Sequence, residues 1–153
     1  MDFENLTMME VAKLIKQLKS FFTSKNLSIN TFGKFKEDFA IIDKKSNIEY
    51  ILHIYRGKYD IHKYSIHLRF KTDHEHLVRI DMHSGVGHNN SDNSHVGKNH
   101  IHILRCKNGI KENYAYELKE IPFIYKDSQT VDFNDDDDLY DTCQKFISFI
   151  NLK

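Results

Sequence analysis

Little in this 153-residue chain suggests secretion or a membrane. It has only two cysteines, Cys106 and Cys143, which lie far apart and form no metal-binding pair; this favours two buried thiols in a reducing cytosol. No apolar run approaches the roughly 20 residues that a membrane-spanning helix requires. The N-terminus, with Asp2 and Glu4, lacks the basic and then apolar pattern of a signal peptide. We therefore expect a soluble, cytoplasmic protein with no membrane partner.

The sequence also lacks an excess of charge and the common catalytic motifs. Its 22 basic and 22 acidic residues cancel, so any contact with nucleic acid has to come from a local patch. Gly85-Val86-Gly87 lacks the third glycine and the following helix of a nucleotide-binding loop. There is no P-loop, nucleophile elbow, Cys-x-x-Cys or HExxH motif. Function therefore has to be inferred from less specific clusters.

A histidine-rich stretch runs from Arg79 to Arg105. It holds five of the ten histidines and three of the six glycines. Alternating apolar and polar segments at its two ends enclose a long loop of Gly, Asn, Ser and His. Loops of this length in a small domain are uncommon, and they are usually either functional or disordered. We therefore expect the functional site in this stretch.

Helical periodicity occurs near both ends of the chain. A capping box from Thr7 to Glu10 predicts the start of an amphipathic helix of about four turns that ends near Lys25-Asn26. Its predicted apolar face consists of Val11, Leu14, Ile15, Leu18, Phe21 and Phe22. The acidic run Asp135–Asp138 precedes a second helical pattern, and we interpret it as a charged helix start.

Between these helices, apolar and polar residues alternate in about six segments. The predicted strands cover residues 39–43, 48–55, 64–71, 78–83, 100–104 and 114–118, with a hairpin turn at Asn108-Gly109. No helix-length segment separates them, which favours an antiparallel meander. The predicted fold is a single α+β domain over residues 1–153, with both helices packed on one face of the sheet.

Strand alternation also predicts where the polar side chains point. If the apolar residues of each strand face the helices, the polar ones share the opposite face. That face would collect His67, Arg69, Arg79, Asp81, His83, His100 and His102. His88, Asn89 and Asn90 can fold over it from the long loop. Five residues are nominated as the site: Arg79, Asp81, His88, His100 and His102.

Such a face supports three interpretations. Two histidines can act as acid and base in phosphodiester transfer, with Arg79 stabilising the charge on phosphorus and Asp81 orienting one imidazole. Alternatively, His100 and His102 could bind a divalent metal such as zinc, iron or manganese together with His88 or Asp81. In the third interpretation, the polar side chains are merely solvated.

The segments Arg79-Ile80-Asp81, His88-Asn89-Asn90, Gly97 and His100–Arg105 resemble a family of uncharacterised small bacterial and prophage proteins. That family has an acidic residue, a His-x-Asn loop and a closing His-x-His strand. The arrangement is also similar to that of TumE-type toxins of toxin–antitoxin systems. This resemblance implies action on RNA or translation, an antitoxin partner, and functional roles for the same five nominated residues.

The leading hypothesis is a toxin-like, metal-independent ribonuclease encoded by a mobile element. His100 and His102 would share the acid and base roles, Arg79 would bind phosphate, Asp81 would orient an imidazole, and His88 would assist. No cofactor is expected on this hypothesis. One alternative is a non-enzymatic phage or plasmid inhibitor, similar to an anti-CRISPR, that binds a host nuclease through Asp135–Asp138 as phosphate mimics. The second alternative is a metal-dependent hydrolase that uses the His-x-His strand.

Overall fold

The computed structural model describes residues 1–23 and 27–153, and it has an α+β fold built on an antiparallel sheet. The helices are α1 (Met8–Lys16) and α2 (Leu139–Phe149). The strands are β1 (Ser20–Phe21), β2 (Phe35–Asp43), β3 (Ile48–Arg56), β4 (Tyr64–Phe70), β5 (His76–Met82), β6 (His88–Asn89), β7 (His95–Val96), β8 (His100–Lys107) and β9 (Ile110–Glu117). Within the described ranges, no helix is long and apolar enough to cross a membrane.

The main sheet is larger than the sequence predicted. It has seven strands in the order β1-β2-β3-β4-β5-β8-β9, and β6 and β7 form a separate two-stranded sheet. The α+β class, the antiparallel pairing and the Asn108-Gly109 hairpin are confirmed; both turn residues have positive φ, 54° and 76°. β2 starts at Phe35, four residues earlier than predicted. Phe35 and Phe39 are buried, but the three residues between them are all polar, so the apolar alternation used for the prediction does not extend back to Phe35.

One face of the sheet forms a hydrophobic core together with both helices. Its strand residues include Ile41, Leu52, Ile54, Ile66, Leu68, Val78, Ile80, Ile101 and Ile103. The helices add Val11, Leu14, Ile15, Leu139, Cys143, Phe146 and Phe149. Both cysteines are free, with Cys143 buried and Cys106 half-buried. Because the apolar set covers this face, the polar residues of β4, β5 and β8 are directed to the other one.

The start of α1 matches the prediction and its end does not. The Thr7–Glu10 capping box is present. The helix ends at Lys16, because Gln17 has an extended conformation (φ −61°, ψ 140°); the predicted end at Lys25-Asn26 lies outside the described residues. Leu18 is consequently exposed rather than part of an apolar helix face.

Lys19 turns inward just after α1 and is fully buried. Its ammonium donates to the carbonyl oxygens of Leu14 (2.7 Å), Ile15 (2.8 Å), Gln17 (2.9 Å) and Ile150 (2.9 Å). These groups are the free carbonyls at the ends of both helices, so one side chain satisfies two helix C-termini. Burial lowers the pKa of Lys19 to about 7, and the charge of Asp43 offsets only part of this shift.

The acidic run before α2 has the predicted structural role. Asp138 caps the helix by accepting a hydrogen bond from the amide of Asp141 at 2.8 Å. Asp137 is half-buried and lies 2.6 Å from the Lys145 ammonium. The interpretation as a charged helix start is therefore confirmed for Asp138, whereas Asp137 forms an ion pair with a later residue of α2.

We expect Lys19→Met to lower the free energy of unfolding by about 3 kcal/mol, because buried carbonyls left without a donor cost about 1–3 kcal/mol each. Urea denaturation at pH 6, where the wild-type amine is mostly charged, measures the difference. Lys13→Met, on the exposed side of α1, is the control and should change stability by less than about 0.5 kcal/mol. Equal stability of the two variants would contradict the capping role of Lys19.

Candidate metal centre

Strand register brings four of the five nominated residues together. β5 and β8 pair antiparallel, with Arg79 directly opposite His102 and Asp81 directly opposite His100. Side chains that face each other across adjacent strands lie about 4.5–5.5 Å apart at their Cβ atoms. The four residues therefore form one cluster on the polar face of the sheet.

The carboxylate of Asp81 is the centre of this cluster. Its Oδ1 accepts a hydrogen bond from Arg79 Nε at 2.9 Å. Its Oδ2 lies 3.2 Å from His102 Nε2 and 3.4 Å from His100 Nε2. Burial alone would raise the pKa of Asp81, but the hydrogen bonds from His100 and His102 and the charge of Arg79 hold it well below its ordinary value. The carboxylate is therefore ionised at neutral pH.

Backbone carbonyls set the orientation of both imidazoles. His100 Nδ1 lies 2.7 Å from the Gly97 carbonyl oxygen, and His102 Nδ1 lies 2.9 Å from that of Asn113. A carbonyl only accepts, so each Nδ1 carries the proton and each Nε2 of a neutral ring is left with a lone pair. Burial lowers the pKa of His100, but Asp81 and the Gly97 carbonyl raise it more, and the net shift is upward.

These atoms have the spacing of a metal-binding site. Asp81, His100 and His102 each offer one ligand atom, and the three atoms lie within 4.8 Å of one another. Nitrogen and oxygen ligands about 2.1 Å from a zinc or iron ion are about 3.0–3.4 Å from each other. The 3.2 and 3.4 Å separations at Asp81 Oδ2 fall in this range. Two histidines and one carboxylate that leave further positions open are a known donor set for catalytic zinc and non-haem iron.

His88 reaches the cluster from the long loop. Its ring centroid lies 4.7 Å from that of His102 and 6.2 Å from that of His100. Burial and the two neighbouring histidines lower the pKa of His88. The adjacent Gly87 cannot carry a side chain, because an added Cβ would lie 2.0 Å from the Val96 carbonyl oxygen. The close β6–β7 pairing that positions His88 therefore requires glycine here.

The long loop is ordered by contacts with the edge strand β9. The buried Asn90 amide donates to the Ala115 carbonyl oxygen at 2.9 Å and accepts from the Ala115 amide at 2.8 Å. Glu112 accepts two hydrogen bonds from Ser91, and Glu117 accepts one from the Gly97 amide. Asn90 therefore anchors the loop instead of lying over the site. A cleft of about 570 Å³ remains open between loop and sheet, lined by His76, Arg79, Asp81, His88, Asn89, Ser91, His102, Glu112 and Asn113.

The model of DUF6978, a family of unknown function, matches residues 6–152. The chain belongs to the DUF6978 family. No curated protein and no solved structure matches it. The family assignment covers the entire sheet and both helices of this DUF6978 member, and it carries no functional name.

His67 and Arg69, which the sequence also predicted on the polar face, belong to a second cluster of histidines in this DUF6978 member. His67 stacks between His53 and His76, with ring centroids 4.9 and 4.0 Å away. Arg69 lies 2.8 Å from His67 Nε2. Burial, followed by the neighbouring histidines and arginines, lowers the pKa of His67 to about 2.

His53 and His76 were missed from the sequence. His53 could have been found, because it occupies a polar position in the alternation of β3 and lies directly opposite His67. His76 reaches the stack only because the β4–β5 pairing shifts register between Leu68 and Arg69. A bulge of this kind leaves no clear pattern in the sequence.

His83 does not follow the alternation of β5, which had predicted that it shares the polar face with Arg79 and Asp81. β5 ends at Met82, and His83 has a positive φ of 52°, so strand alternation no longer determines the direction of its side chain. Its Nε2 lies 3.2 Å from the carbonyl oxygen of Asp135, just before α2.

We expect His67 to make the free energy of unfolding fall as the pH is lowered from 7 to 5. His67 stays neutral in the folded protein but is protonated in the unfolded chain below about pH 6.5, so the unfolded state binds more protons. One such group contributes a slope of at most about 1.4 kcal/mol per pH unit. Urea denaturation at several pH values should show a shallower slope for His67→Gln, while the control Gln129→Ala, at an exposed position without a titratable group, keeps the wild-type slope. An unchanged slope in His67→Gln would contradict this.

Proposed function

We propose that this protein hydrolyses phosphodiester bonds of RNA at a divalent-metal centre formed by Asp81, His100 and His102. The observation that carries the proposal is the convergence of two imidazole nitrogens on one carboxylate oxygen, at 3.2 and 3.4 Å. Each of these nitrogens is turned inward by a carbonyl that holds the opposite side of its ring. Such outer hydrogen bonds are typical of metal-binding histidines.

This geometry supports the metal-dependent alternative better than the acid–base pair. An acid and a base in phosphodiester transfer need to reach two different oxygens of the substrate. Here both Nε2 atoms face Asp81 Oδ2, and the side chains of His100 and His102 are only 4% and 10% exposed. The available nitrogens are therefore better placed to share one ion than to flank a phosphate.

Each remaining residue has a role that follows from its position. A bound divalent ion would supply Lewis acidity and lower the pKa of a coordinated water. Arg79 lines the cleft and is 38% exposed, so its guanidinium can stabilise the charge that develops on the phosphoryl oxygens. His88 also lines the cleft, and burial together with His102 and His100 lowers its pKa; as a neutral imidazole it could accept a proton from the attacking water. The water oxygen would bond to phosphorus as the bond from phosphorus to the leaving ribose oxygen breaks, and that oxygen would take up a proton from solvent.

The proposal that RNA is the substrate rests on the resemblance to TumE-type toxins and on Arg79, the basic residue beside Asp81. That resemblance involves Arg79, Asp81, His88, His100 and His102, the residues that share this corner of the fold. The non-enzymatic inhibitor has less support, because Asp137 pairs with Lys145 and Asp138 caps α2. Only Asp135 and Asp136 of the proposed phosphate mimic are left without these structural roles.

We expect the purified protein to bind about one equivalent of a transition metal such as Zn²⁺ or Co²⁺ per chain. Elemental analysis and the visible spectrum of the Co²⁺-loaded protein measure the stoichiometry and the ligand type. The variant His100→Ala/His102→Ala should lose the metal, whereas His53→Gln, a histidine on the same sheet face but outside the centre, should keep it. A wild-type protein that takes up neither ion would overturn the metal centre.

We also expect single-stranded RNA to be cleaved in the presence of the metal, and cleavage to stop with EDTA or with Asp81→Asn. Expression in a bacterial host should arrest growth, and the double histidine variant should relieve the arrest while keeping a native circular-dichroism spectrum. Cleavage that persists undiminished in EDTA would instead support the metal-independent ribonuclease. Unchanged toxicity of a folded double variant would remove these histidines from the activity.

A further inference from the structure

A second and larger cleft opens on the other side of Arg79 and Asp81. Its volume is about 740 Å³. The larger cleft is lined by basic and aromatic side chains together with Arg79 and Asp81: Lys34, Lys58, Lys63, Tyr55 and Tyr59. Arg79 and Asp81 also line the cleft of the metal centre, so the two clefts adjoin at these residues.

We propose that this larger cleft binds a single-stranded nucleic-acid segment next to the phosphate that is cleaved. The inference rests on the proposed function and adds to it a separate binding site for the substrate strand.

The charge of the cleft fits a phosphate backbone. Lys34, Lys58 and Lys63 are exposed, and in the described part of the chain none of them forms an ion pair with a carboxylate. The acidic lining residues are Asp60 and Asp81, and Asp81 is already engaged by Arg79 and two histidines. In a chain with no net charge, this is a local basic patch of the kind that contact with nucleic acid requires.

The aromatic side chains favour a single strand over a duplex. Tyr59 is 92% exposed and Tyr55 is 40% exposed, both in the same cleft as the lysines. Lys58 Nζ lies 5.5 Å from the centroid of the Tyr59 ring, so a cation and a stacking surface are adjacent. Unpaired bases stack on exposed aromatic rings while lysines follow their phosphates, and this combination is common in single-strand binding. Paired bases in a duplex are not available for such stacking.

The position of the cleft suits a path for the bound strand that leads to the metal centre. Lys63 lies beside Gly85, at the start of the loop that carries His88. A strand that contacts Tyr59 and Lys63 would reach Arg79 next and then the ion-binding atoms of Asp81. The neighbouring phosphate would therefore arrive at the centre, and the segment beyond it would enter the smaller cleft near His88 and Ser91.

Fluorescence anisotropy with a labelled single-stranded 2′-O-methyl octanucleotide tests the cleft, with a gel confirming that the probe stays intact. We expect Lys58→Gln/Lys63→Gln to weaken binding at least tenfold and to reduce the slope of log K against log salt by about 1.4, since each phosphate contact contributes about 0.7. Tyr59→Ala should weaken binding at least about fivefold with an unchanged salt slope, because stacking involves no counterion release. All three substitutions are at exposed positions, so the fold should be retained.

The matched control is Lys44→Gln/Lys45→Gln, two exposed lysines in the turn at the opposite end of β3. It removes the same charge and should bind like the wild type. If both pairs of lysine substitutions weaken binding equally, the loss follows from the change in net charge, and the proposal that the larger cleft binds the strand is wrong. Absence of binding by the wild type, or tighter binding of an RNA duplex than of the single strand, would also overturn it.

Co²⁺ titration of the same proteins separates this inference from the proposed function. If the cleft variants bind both Co²⁺ and the octanucleotide like the wild type, the proposed nucleic-acid site is wrong and the proposed metal centre stands. If instead the wild type binds the octanucleotide through the cleft but takes up no metal, the nucleic-acid site stands and the metal-dependent hydrolase fails.

Discussion

The antiparallel register between β5 and β8 is the constraint on which the site depends. It sets Arg79 opposite His102 and Asp81 opposite His100. The apolar residues between them, such as Ile80 and Ile101, are fully buried under the helices. A shift of one residue would move the polar set into the core and the apolar set into water, so packing on one face of the sheet fixes the chemistry on the other.

Strand alternation was sufficient to predict that Asp81, His100 and His102 lie on one face of the sheet, but it could not predict the distances between them. Asp81, His100 and His102 were placed on one face from their spacing alone, since a period of two holds wherever the strand is regular. The alternation failed where the backbone departs from it. His83 adopts a positive φ, and a bulge between Leu68 and Arg69 brings His76 into the histidine stack. Both departures depend on tertiary contacts.

The end of α1 illustrates the same limit on the other side of the sheet. Apolar periodicity continues to Phe22, and local sequence therefore predicts a longer helix. The chain instead turns so that Lys19 can reach the carbonyl of Ile150, 131 residues away. The four hydrogen bonds of the buried Lys19 ammonium stabilise the fold more than two further turns of exposed helix would. One acceptor, the carbonyl of Ile150, is distant in sequence, so a prediction from neighbouring residues cannot include it.

A divalent ion would also resolve a conflict at Asp81. Without a cation, His100 Nε2 and His102 Nε2 can both donate to Oδ2 only if both rings are protonated, and two imidazolium groups would then lie side by side in a largely buried cluster. With an ion bound, the two neutral nitrogens and Oδ2 would be the atoms that hold it, while Oδ1 would continue to accept from Arg79. Arg79 would then orient the carboxylate, and it lines both clefts.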